Sequence, residues 1–170
     1  QYQAQPQNLE VVRQIAQLME LRLEQTGAEE DLAGAVQWYG YCNQLLAGSD
    51  PAIERKFSDL QIRQLDHSIK ALEDWFAAGG DQHPEADTYR EQLSQLKAQR
   101  EESNIFEARK RVERNPTDLQ LRFELGECLM FAGHFTEAIP ELQRARQNPN
   151  VRLRAVSLLG RCYEEKGMND

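Results

Sequence analysis

Histidine and cysteine are scarce in this chain. Its 170 residues include three histidines and three cysteines. His67, His83 and His134 stand alone, with no partner at a metal-ligand spacing. No phosphate loop, Gly-x-Ser-x-Gly or Cys-x-x-Cys occurs. Cys42, Cys128 and Cys162 are odd in number and far apart, which fits the reduced thiols of a cytoplasmic protein rather than a disulfide framework. No catalytic, cofactor-binding or metal site is expected. No apolar run approaches the roughly 18 residues of a membrane span. The opening QYQAQPQ lacks the basic start and apolar centre of a signal peptide, and residues 1–7 read as a disordered tail. A net charge of −8 argues against nucleic acid and anionic membrane surfaces as partners.

What the chain does hold is helix-forming sequence. Glycines number only 10, charged residues make up 28%, and Leu, Glu, Gln, Arg and Ala dominate. From Asn8, a candidate N-cap, to about Leu23, the residues Leu9, Val12, Ile15, Ala16 and Met19 share one helical face. A second helix from about Glu30 to Leu46 presents Leu32, Val36, Tyr39 and Cys42. Pro51 opens a third, in which Ile53, Phe57, Leu60, Leu65, Ile69, Leu72 and Phe76 recur at helical steps until Gly79-Gly80. After Pro84 a fourth runs to about Arg114 with Tyr89, Leu93, Leu96, Ile105, Ala108 and Val112. Two helices of that length joined by a Gly-rich turn predict an antiparallel hairpin over 51–114. It reads either as an interaction arm or as an oversized element packed into the array.

The last third repeats itself. Leu125-Gly126-Glu127-Cys128 returns as Leu159-Gly160-Arg161-Cys162, an offset of 34 residues, and Leu119/Leu153 and Gly133/Gly167 keep the same offset. Asn115-Pro116 and Asn148-Pro149 precede the two copies as helix stops, and Thr117-Asp118 offers capping oxygens. Gly126 and Ala138 suit a close helix crossing, and Ala145 suits a docking surface for the next copy. Gly133 suits a turn, and Pro140 should fall within roughly the first turn of its helix.

The stretch Leu125-Gly126, Leu129, Gly133, Phe135, Ala138-Ile139, Leu142, Ala145 resembles the tetratricopeptide repeat (TPR) motif nearly position for position. Ala33-Gly34-Ala35-Val36-Gln37-Trp38-Tyr39 resembles it weakly, without the Leu-Gly. The resemblance implies an all-α fold, a TPR-type helix–turn–helix solenoid with an atypical long antiparallel hairpin. Its expected segments are a tail over 1–7, a degenerate hairpin over 8–50, the long hairpin over 51–114, and repeats over 115–170, one complete and one truncated. The truncation and the start at Gln1 lead to the expectation of a fragment of a larger bacterial TPR protein.

By the same resemblance, the function is non-catalytic protein binding in the cytoplasm. A protein or peptide partner would lie in a groove lined by Gln120, Phe123, Glu127, Met130 and Phe131, then by Arg154, Ser157, Arg161, Glu164 and Glu165. Phe123, Glu127, Ser157 and Arg161 replace the Lys and Asn with which some relatives clamp a chaperone's carboxylates, so that specialisation is not expected. Two alternatives stay open: self-association into a homodimer through 51–114, and a regulatory segment of a larger multidomain protein. Cofactors, nucleic acid and membrane insertion are not expected.

Overall fold

The computed structural model describes residues 8–167. Those residues form seven α-helices and no strand: α1 (Leu9–Thr26), α2 (Glu29–Leu45), α3 (Pro51–Ala77), α4 (Ala86–Arg114), α5 (Leu119–Phe131), α6 (Phe135–Ala145) and α7 (Arg152–Glu165). The expected tail over 1–7, and residues 168–170, lie outside the described part. The chain divides into two compact units, the first ending at Leu96 and the second beginning at Lys97. The division falls inside α4, within the segment that the sequence alone predicts as one hairpin.

In the first unit, α1 and α3 start at side-chain caps. Asn8 Oδ1 accepts from the amides of Glu10 and Val11 at 3.1 and 3.3 Å. Asp50 Oδ1 does the same for Ala52 and Ile53 ahead of Pro51, while its other oxygen accepts from Arg13 at 2.6 Å and ties α1 to the start of α3. Gly27 ends α1 in the left-handed region at φ 63°. α1 packs on α2, and α2 on α3, around Val12, Ala16, Leu23, Leu32, Ala35, Tyr39, Cys42 and Leu60. At the far end of α3, Trp75 meets Phe76, His83 and Tyr89 edge-on, and the Gly80 turn leaves the room its indole needs.

Glu20 of α1 pins α1, α2 and α3 together. Tyr39 Oη of α2 donates to its carboxylate, and Lys56 of α3 forms an ion pair with it. Burial acts against the charged form, but the hydrogen bonds from Lys56 and Tyr39, with the lysine's charge, outweigh it and hold the carboxyl below its ordinary 4.5. A depressed folded-state pKa contributes stability that is complete above the ordinary carboxylate range and lost as pH falls through the folded value. Glu20→Gln is expected to cost about 1–3 kcal/mol at neutral pH. It should also flatten the first unit's loss of stability below about pH 4.5. Urea denaturation followed by Trp38 and Trp75 fluorescence at several pH values measures both effects; an acid slope equal to wild type would remove Glu20 as its source.

The second unit is built around one close helix crossing. Asp118 caps α5, accepting from the amides of Gln120 and Leu121 at 2.8 and 3.3 Å. Gly133 makes the turn to α6 at φ 78°, and α6 folds back on α5. At the crossing, a methyl group on Gly126 would lie 2.7 Å from Leu142 Cγ and 3.2 Å from the Leu142 amide nitrogen. Hydrogen is therefore the side chain that the spacing accommodates without displacement. α7 packs on α6 and touches α5. Ile105, Ala108 and Val112 from the C-terminal part of α4 share one core with Phe123, Leu125, Leu129, Ala138, Leu142, Ala145, Ala155, Leu159 and Cys162. Pro140 departs from expectation: it is the sixth residue of α6, beyond the first turn. It lies on the exposed side together with Thr136, whose carbonyl loses its helical donor where solvent can replace it.

Candidate protein-binding surface

The residues expected to line a groove do not all reach the surface. Phe123 is 1% exposed and Met130 5%, and both belong to the core, which corrects their expected place on a binding face. The physical reason lies in the neighbours of α5. It packs against both α6 and α7 and shares a core with the end of α4, so its apolar positions are covered from more than one side. Arg154 lies 4.8 Å over the Phe123 ring.

The other positions remain accessible. Arg154 Nη2 of α7 donates to Glu127 Oε1 of α5 at 2.8 Å, so the structure brings together Glu127, Arg154 and the face of the Phe123 ring. Gln120 is exposed, and its side chain bonds Glu124 at 3.4 Å. Phe131, the last residue of α5, is 62% exposed. Ser157, Arg161, Glu164 and Glu165 are exposed on α7. Among the described residues, no hydrogen bond or ion pair links Ser157, Arg161 or Glu164 to the Glu127–Arg154 pair.

Two depressions in this unit have no counterpart in the sequence-based expectations. One, of about 250 Å³, is lined by Glu102, Ile105, Phe106, Arg109, Leu129 and His134. Phe106 is exposed with Lys110 Nζ 4.3 Å above its ring, while Arg109 is bound to Glu137 and holds that carboxyl below its ordinary range. The available signal was a large aromatic one position off the apolar face of Ile105, Ala108 and Val112. The other is an open crevice of about 660 Å³ lined by Arg146, Gln147, Pro149, Arg152 and Val156. Val156 of that lining is 50% exposed, and Leu153, on the same helix, is 86% exposed.

The groups capable of chemistry are dispersed. Cys42 and Cys162 are fully buried, Cys128 is half-buried, and burial pushes all three thiols up, away from the reactive thiolate. Among the described residues, no group of three His, Cys, Asp or Glu side chains could hold a metal ion. No helix among them is long and apolar enough to cross a membrane. What the second unit offers is surface: charged pairs between helices, exposed aromatics and an uncovered aliphatic row. No family model matches the chain, and no curated protein and no solved structure matches it either.

Proposed function

We propose that the chain is a non-catalytic protein-binding scaffold module of the TPR type, acting in the cytoplasm. One observation carries this reading. α5 and α7, whose sequences repeat at 34 residues, both pack against α6 and touch each other, with the first Leu-Gly of the repeat at the helix crossing. Side-by-side first helices of successive repeats leave a shared face for a peptide or helix. Here that face comprises Gln120, Glu127, Phe131, Arg154, Ser157, Arg161 and Glu164, without Phe123 and Met130. The 51–114 segment belongs to the same proposal as an interaction arm, and within the first unit the Trp75 and Tyr89 rings join the end of α3 to the start of α4, 4.8 Å apart beside the Gly-rich turn.

The test is crosslinking capture from the source cell with wild-type protein and with Phe131→Ala/Arg161→Glu, a variant confined to exposed side chains. A specific partner is expected in the first case, reduced at least tenfold in the second, with circular dichroism unchanged. The same partner at equal yield in both would move binding off this face. Capture of nothing above a scrambled-surface control would overturn the binding-module reading itself.

A further inference from the structure

We propose that the depression between α4 and the α5–α6 turn receives one aromatic side chain of a partner protein, from a segment that sets a lysine or arginine beside it. The inference rests on the protein-binding reading above. Ile105 of α4 and Leu129 of α5, both buried, form the floor at the edge of the core. The exposed Glu102, Phe106 and Arg109 of α4 and His134 of the turn form the rim. All six lie within the second unit, and the helices next to them in sequence belong to the described residues.

The internal repeat explains why this corner is open. Leu129 recurs 34 residues later as Tyr163. On α7 that tyrosine packs against the core and reaches the preceding helix, where Gln143 of α6 donates to its hydroxyl at 2.8 Å. Leucine has no ring to extend toward α4, and the depression lies beside it. A ring in one copy and a hollow in the other, at the same register, argue for an aromatic occupant.

The rim is already ordered. Lys110 Nζ lies 4.3 Å above the Phe106 ring, and Arg109 is paired with Glu137. The His134 amide donates to the Leu129 carbonyl at 2.8 Å, and its imidazole lies 3.8 Å from Glu137. Holding these side chains for a ligand therefore adds little to the cost of binding. A volume of about 250 Å³ falls below the roughly 300–1,000 Å³ of sites that enclose a small molecule, and suits one anchoring side chain. Charge selects its neighbour. Arg109 is committed to Glu137, whereas Glu102 forms no ion pair among the described residues. A cation beside the anchor meets that carboxylate, in a chain of net charge −8. Residues 1–7 and 168–170 contain neither lysine nor arginine, so neither stretch supplies it.

The probe is the synthetic peptide Gly-Ser-Lys-Phe-Arg-Ser-Gly, titrated into the isotope-labelled whole chain and followed by amide chemical shifts. Saturable shifts are expected at Glu102, Phe106, Leu129 and His134 and their immediate neighbours. Alanine in place of the peptide's phenylalanine should weaken binding at least tenfold, as should Phe106→Ala in the chain. Glu102→Lys should weaken it about fivefold, and added salt should weaken wild-type binding in the same direction. Both substituted side chains are exposed, so circular dichroism should stay that of the wild type. No saturable shift at millimolar peptide, or equal affinity for the Phe106→Ala chain, would overturn the proposal. So would sedimentation showing a dimer that Phe106→Ala dissolves, because the occupant would then be a second copy. If the captured partner of the preceding section is lost with Phe131→Ala/Arg161→Glu but kept with Phe106→Ala/Glu102→Lys, the depression fails as a partner site while the binding-module reading stands.

Discussion

Gly126→Leu is expected to destabilise the second unit by about 1–3 kcal/mol or more, the range for overpacking a filled interior. The collision is with the Leu142 side chain at 2.7 Å and, behind it, with the α6 backbone at 3.2 Å. The side chain can rotate away; the backbone can yield only by parting α5 from α6, which would open the core around Leu129, Ala138 and Leu142. Its counterpart in the repeat should respond with the opposite sign. Gly160 meets nothing, so Gly160→Ala should gain about 0.5–1 kcal/mol from helix propensity alone. Both tryptophans, Trp38 and Trp75, lie in the first unit, so the comparison requires far-UV circular dichroism during urea denaturation rather than fluorescence. Losses of equal size at the two glycines would contradict the crossing geometry.

Phe123→Ala should cost about 3–5 kcal/mol, as for other fully buried aromatic residues. Phe131→Ala, eight residues later on the same helix, should stay within about 0.5 kcal/mol. The contrast follows from their exposures of 1% and 62%. Phe123 also supports the Arg154 guanidinium above its ring, so its loss should loosen the Glu127–Arg154 link between α5 and α7. Denaturation of the two single variants decides the point: a mild Phe123→Ala would return that residue to the candidate surface.

Helices and their ends were legible because their causes are local. Asn8 and Asp118 act through amides two and three residues away, and Gly133 through its own backbone angle. The apolar steps of Val12, Ala16 and Leu32 likewise announce the face that is buried. Phe123 and Met130 were misplaced because burial on α5 depends on how many neighbours surround the helix, which periodicity along one strand of sequence does not encode. Phe106 was passed over for the complementary reason: a single aromatic between Ile105 and Glu107, one position off the apolar face, leaves no periodic trace, although its exposure is a matter of tertiary geometry. Pro140 shows a limit of the capping rules, since a proline on a solvated helix flank costs little enough to sit beyond the first turn.

The wholly buried thiols have a use as reporters. Cys42 sits in the first unit's core and Cys162 in the second's, each with no accessible surface. A thiol reagent can reach either one only after its unit opens, so the labelling rate of each, resolved by peptide mass, reads the opening equilibrium of that unit under native conditions. Half-buried Cys128 would react by a shallower fluctuation and should be replaced by alanine beforehand. A ligand that binds only the second unit would then announce itself as slower modification of Cys162 with no change at Cys42, a thermodynamic signature of ligation in one half of the chain recorded against an internal standard in the other.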